Sequence, residues 1–150
     1  MPQLIQKQVL PIDLKTAWAF FATPRNLNEI TPPDVHFEIT SEVPDQMYPG
    51  LMITYCIRPF LGIPFTWWTE ISHIQEGQYF IDQQVQGPYK IWHHQHHFES
   101  VSEGVLMTDI LHYEVGFGLI GKLLDVLFVR QKVKWIFESR RKLLEERFST

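Results

Sequence analysis

Four histidines fall within five residues, at positions 93, 94, 96 and 97, inside the run Phe80 to Phe98. Imidazole titrates near neutral pH, both donates and accepts hydrogen bonds, and ligates metals, so this density invites chemistry. The run reads as two antiparallel strands around Gly87-Pro88, because proline fixes its own φ and withholds a ladder donor while both flanks alternate with period two. Alternation puts Trp92, His94, His96 and Phe98 on one face of the second strand and Ile91, His93, Gln95 and His97 on the other. On the first strand Phe80, Asp82 and Gln84 share a face. Two large aromatics point the first set inward, and two imidazoles go with them. Burying that polarity without partners is costly, so the pattern predicts an internal cavity studded with polar groups.

Three chemistries suit these residues. His94 and His96, with Asp109 or Asp82 as a third ligand, can reach one metal ion and leave a position open. No thiolate assists them, and Asp82, Gln84, Asp109 and Tyr113 offer hydrogen-bond partners across the sheet, so the expectation is a satisfied polar cluster with no metal and no cofactor. As a catalytic pair, His96 and Asp109 would have the carboxylate fix the imidazole tautomer. The chain carries no G-x-S-x-G or comparable nucleophile motif, and a binding pocket is the preferred reading. The pKa logic has two branches: burial alone depresses both histidines, whereas a nearby ionised Asp82 or Asp109 raises them. Gly116-Phe-Gly118-Leu-Ile-Gly121 matches a dinucleotide fingerprint. It lacks the parallel strand that must follow the helix, so the glycines are read as a turn and a close helix approach.

The elements that must position these residues follow in chain order. Leu4 to Leu10 alternates loosely as a first strand; Asp13 stands as N-cap to a short helix over Leu14 to Ala22, and Pro24 opens a second carrying Leu27 and Ile30. Val35, Phe37 and Ile39 alternate as a half-buried strand. Leu51 to Arg58 and Phe65 to Ile74 follow as strands, separated by Pro59, Gly62 and Pro64. After the histidine hairpin, Val105 to Val115 alternates again, with Met107, Asp109, Leu111 and Tyr113 on one face and the inward side undecided. Leu119 to Phe148 runs as one long helix whose apolar residues, among them Val126, Val129 and Val133, recur at helical spacing. The adjacent Trp67 and Trp68 must face opposite ways, the outward ring covered by the loop around Phe60 or by a partner. Leu119 to Val129 is apolar on most sides, which leaves three options: burial under the 59–64 loop, a ligand portal, or a homodimer contact. Arg130, Lys132, Lys134, Arg140, Arg141 and Lys142 crowd the same helix and are read as a solvated face, with an anionic membrane surface or acidic partner as the alternative.

At 150 residues, 45% hydrophobic and 14% aromatic, the chain is expected to be one α+β domain over 1–150 with a real core. A net charge of −4 with no broad basic footprint argues against nucleic acid. No run reaches the 18 or so apolar residues of a membrane span. The single Cys56 and the absence of a signal-peptide pattern point to the cytoplasm.

The order of elements, with Phe80-x-Asp82, Gly87-Pro88-Tyr89, Trp92-x-His94-x-His96-x-Phe98, Thr108-Asp109, Tyr113 and Arg140, resembles the SRPBCC superfamily of START-like, polyketide cyclase/dehydrase-like and pollen-allergen-like helix-grip proteins. That resemblance implies about seven antiparallel strands curved around the C-terminal helix and a deep cavity between them for a hydrophobic or amphipathic small molecule. It implies no single reaction. Together the two lines of reasoning place Trp67, Phe80, Asp82, Gln84, Trp92, His94, His96, Phe98, Asp109, Tyr113, Val129 and Val133 around one ligand.

Overall fold

The computed structural model describes residues 1–149, without the side chains of residues 59 and 60. Seven strands form one antiparallel sheet in the order β1-β7-β6-β5-β4-β3-β2. They are β1 (Gln3–Leu10), β2 (Glu38–Ile39), β3 (Leu51–Phe60), β4 (Ile63–Gln75), β5 (Tyr79–Gln86), β6 (Ile91–Val101) and β7 (Gly104–Glu114). Register shifts between β4 and β5, at Trp68/Thr69 and at Ile71/His73, mark irregularities of the kind that bend a sheet. Helix α1 (Leu14–Phe21) begins as its sequence requires, with Asp13 Oδ1 accepting from the Thr16 backbone N–H at 2.7 Å. A short α2 (Leu27–Ile30) follows. The C-terminal helix comprises α3 (Gly118–Leu124), a π-helical stretch (Asp125–Val129) and α4 (Arg130–Phe148). Among the described residues no helix is long and apolar enough to cross a membrane.

Strand alternation becomes burial. On β6, His94, His96 and Phe98 are buried; on β7, Val105, Met107, Asp109, Leu111 and Tyr113 are, which decides that strand's inward face. On β4 the buried residues are Trp67, Thr69 and Ile71, while Trp68 turns out to solvent. Whether Phe60 covers Trp68 lies outside the described side chains. The helix is held to the sheet edge by Gln6 Nε2 donating to the Phe137 carbonyl and Gln8 Nε2 donating to the Arg141 carbonyl, at 3.2 and 3.0 Å. Val133, Phe137 and Leu144 are its buried residues facing inward through α4.

Two expected details are corrected. Residues 35–39 do not form one strand: Pro33–Val35 is a 3-10 turn, His36 sits at φ +50°, and only Glu38–Ile39 pairs with β3. Consecutive prolines at 32 and 33 favour the turn, and the alternation of Val35 and Phe37 survives as burial without a ladder. The residues around Pro59 do not end β3 early, because β3 and β4 continue to a two-residue turn at Leu61-Gly62. The fingerprint-like glycines serve as read: a Cβ at Gly121 would lie 1.6 Å from the Gly116 carbonyl oxygen, so only glycine permits that approach.

Candidate functional site

Between the sheet and the C-terminal helix lies a cavity of about 160 Å³. Its floor is the inward face of β3 to β6: Ile53, Tyr55 and Ile57, then Trp67, Thr69 and Ile71, then Phe80 and Asp82, then Trp92, His94 and His96. Helix α4 closes it with Val133, Ile136, Phe137 and Arg140. Leu27, Ile30, Val35, Phe37 and Met47 from the segment between β1 and β3 complete the wall.

The polar floor is a crossed quartet. Cross-strand register sets Asp82 opposite His94 and His96 opposite Asp109. The hydrogen bonds take the diagonals instead: His96 Nε2 donates to Asp82 Oδ2 at 2.5 Å, and His94 Nε2 donates to Asp109 Oδ1 at 3.1 Å. The two register pairs stay close without a straight bond, His94 Nδ1 at 3.6 Å from Asp82 and His96 Nδ1 at 3.2 Å from Asp109, out of hydrogen-bond alignment. Phe80 stacks on the His96 ring at 4.2 Å between centroids, and the two imidazoles lie 3.8 Å apart.

Electrostatics split the two histidines. Burial and the neighbouring His96 charge push His94 below the usual imidazole value, against the pull of Asp109 and Asp82. Burial would do the same to His96, but its contacts with Asp109 and Asp82 outweigh that and raise it. Burial raises both carboxyls, yet the His96 hydrogen bond and the surrounding positive charges bring Asp82 down, and the Arg140 charge together with both histidines brings Asp109 down further. Both carboxyls are thus favoured in their ionised form, and a proton shared by the two rings goes to His96 before His94.

Three buried nitrogens on cavity-lining residues make no hydrogen bond among the described residues: His96 Nδ1, which lies beside Asp109, and the donors Trp67 Nε1 and Arg140 Nε, which have no such neighbour. Such groups are expensive to leave unpaired. Sequence reasoning treated Arg140 as part of a solvated basic face, and the structure corrects this. Arg141 and Lys142 look alike in sequence, so only the helix phase set by Val133 and Phe137 distinguishes the inward cation.

Seven of the sequence-selected residues line the cavity: Trp67, Phe80, Asp82, Trp92, His94, His96 and Val133. Five do not. Gln84 folds back on the hairpin turn, bonding both the Tyr89 N–H and carbonyl. Phe98 packs against Trp18 and Phe21 of α1, with ring centroids 5.6 and 5.3 Å away. Asp109 stands behind the histidines, Val129 packs on the neighbouring core around Leu111, and Tyr113 donates to Asp125 Oδ1 at 2.8 Å. Burial and that carboxylate push the Tyr113 phenol up to about 12. Missed by sequence were Tyr55, Phe37, Ile136 and Phe137, whose alternation or helical spacing marked them as core without saying that the core is hollow.

Asp82, His94 and His96 each bring one ligand-type atom within 4.8 Å of the others. Two donors on a tetrahedral zinc sit about 3.4 Å apart, given metal–ligand bonds near 2.1 Å. The 2.5 Å His96–Asp82 contact is shorter than that, the length of a short charge-assisted hydrogen bond.

One sheet in which β2 to β7 follow one another and β1 pairs with β7, a C-terminal helix across it, and a void between them are decisive for architecture. The fold is a helix grip. No protein-family model matches the chain, and no curated protein is similar to it in sequence. Solved structures are similar over nearly the whole chain. Ginseng major latex-like protein 151 from Panax ginseng aligns with a TM-score of 0.71 at 17% identity, over 99% of this chain and 98% of that one. The TTHA0849 protein of Thermus thermophilus gives 0.70 at 19% identity over 98% and 97%. The CV1439 protein of Chromobacterium violaceum gives 0.74 at 10% identity over 100% and 99%. At these identities the likeness establishes the helix-grip architecture, and the chemistry has to come from the cavity.

Proposed function

We propose that this chain binds a small amphipathic molecule in the cavity between sheet and C-terminal helix, as an SRPBCC-type ligand-binding domain. The observation that carries the reading is the pairing of an apolar void with two buried, unsatisfied donors, Trp67 Nε1 and Arg140 Nε. A void of about 150 Å³ accommodates a benzene-sized molecule, so a compound built on a single ring or a short branched chain fits this one. Because Asp82 and Asp109 already place two carboxylates beside the cavity, a neutral acceptor suits the donors better than a third carboxylate, whose charge would be buried against theirs. A ketone, ester or hydroxyl oxygen meets both requirements. Native mass spectrometry of freshly purified protein tests this: a bound mass released on denaturation and diminished in Arg140→Met supports it, and a bare protein that also takes up no single-ring ketone overturns it.

An enzyme of cyclase/dehydrase type using His96 and Asp109 has less support. Both His96 nitrogens face carboxylates, so its proton is held by the protein, and the straight bond to Asp109 comes from His94. Arranged this way, the quartet is better suited to orienting a bound oxygen than to passing a proton to it.

A further inference from the structure

The helix between Gly118 and Val129 is turned inside out. Its sheet-facing positions are Gly121 and Asp125, both buried, while Leu119, Ile120, Leu123, Val126, Leu127 and Phe128 are exposed to solvent. Asp125 fixes this orientation, accepting from the Tyr113 hydroxyl at 2.8 Å and from Arg130 at 2.9 Å. The surface does not stop at the helix. In an antiparallel sheet of this order the β3–β4 turn, the β5–β6 turn and the end of β7 all lie at one end, so Leu61, 99% exposed, and Phe117, 82% exposed, stand at the end where this helix begins. Ile63 and Val85 add exposed apolar area on the strands that reach that end.

Charge selects the occupant. Residues 115–135 carry Lys122, Arg130, Lys132 and Lys134 against Asp125 alone, a net +3 within a chain of −4, so the rest of the molecule is acidic. Lys132 Nζ lies 4.3 Å from the centre of the Trp135 ring, a cation and an amphipathic aromatic side by side. A second copy placed on this face by twofold symmetry would set like charges against one another. We propose that this face docks on an anionic lipid bilayer, the exposed aliphatic and aromatic side chains entering the interface and the lysines meeting the headgroups. This inference does not depend on the cavity reading. It concerns a surface on the opposite side of Gly121 and Asp125 from the sheet.

Flotation of the full chain with vesicles tests it, using phosphatidylcholine alone and phosphatidylcholine with a quarter phosphatidylserine. Binding to the anionic vesicles, about tenfold or more above the neutral ones and weakened by 0.5 M salt, is the expected result. The triple variant Leu119→Ser, Ile120→Ser, Leu123→Ser changes exposed positions only, so its thermal midpoint should stay near wild type while binding falls about tenfold or more. No flotation by wild type, or equal flotation by the triple variant, overturns the proposal. So does light scattering that shows a dimer which the same three substitutions convert to monomer.

Discussion

His96 bonds to Asp82, although the residue directly across the strand pair from Asp82 is His94. Contacts with Asp109 and Asp82 leave His96 raised in pKa, burial and the His96 charge leave His94 lowered, and their removal therefore has opposite pH dependence. A raised histidine stabilises the fold fully below its unfolded value near 6.5, and the contribution is lost as pH rises through the folded value. A lowered histidine stabilises it above 6.5, and that contribution is lost as pH falls toward the folded value. Denaturant midpoints between pH 5 and 8.5 should therefore show the His96→Gln deficit growing toward acid and the His94→Gln deficit shrinking. Equal slopes for both variants would mean that the diagonals are not populated in solution.

Arg140 heads the influences that hold Asp109 down. Arg140→Met should lower stability at pH 7 by about 1–2 kcal/mol, the scale of a charge interaction at an effective dielectric near 20. Asp109 should then titrate higher, so acid unfolding should begin at higher pH than in wild type. Urea titrations at pH 7 and pH 4 check both parts. An unchanged acid limb would show that Arg140 does not reach the quartet.

Asp125→Ala removes the acceptor that Tyr113 and Arg130 share. Because Tyr113 is buried, the loss should be about 1–3 kcal/mol, with a thermal midpoint several degrees lower. Tyr113→Phe combined with Asp125→Ala should cost less than the two single changes added together, which a double-mutant cycle measures. Additive losses would contradict the shared bond.

The short His96–Asp82 contact also bears on metal content. Elemental analysis of the purified chain should find no stoichiometric zinc, iron or manganese, and a chelator should leave its thermal midpoint where it was. A midpoint raised by several degrees on adding zinc, and lost in His94→Ala, would contradict the hydrogen-bonded quartet.

The architecture was legible because period two marks β6 and β7 as strands, Asp13 caps a helix and helical spacing runs unbroken after Gly121, and these elements are mutually consistent, although the inward face of β7 was not decided by its alternation. Alternation also put Trp92, His94 and His96 on the inward face. It could not show that Phe98, on that same face, would fall under α1 and leave the cavity, because docking of α1 is a tertiary event. Nor does strand register reveal a diagonal bond: side-chain rotamers choose between two carboxylates nearly equidistant from each ring. Arg140 was hidden among like neighbours on a basic helix, and the apolar sweep from Leu119 to Phe128 announced an unusual helix without saying which side the sheet would take. The side it took was decided by Asp125, a lone acid whose partner Tyr113 lies on another element.

The most direct test of the binding site is the Trp67 indole N–H resonance in a nitrogen–proton correlation spectrum, assigned by its loss in Trp67→Phe and followed during titration with acetophenone, toluene and benzoate. A neutral acceptor bound in the cavity should move that resonance downfield and saturate, with acetophenone binding about tenfold or more tighter than either toluene or benzoate. If no compound moves the Trp67 signal, or if toluene moves it as acetophenone does, the donors do not recognise an oxygen and the proposed ligand class is wrong.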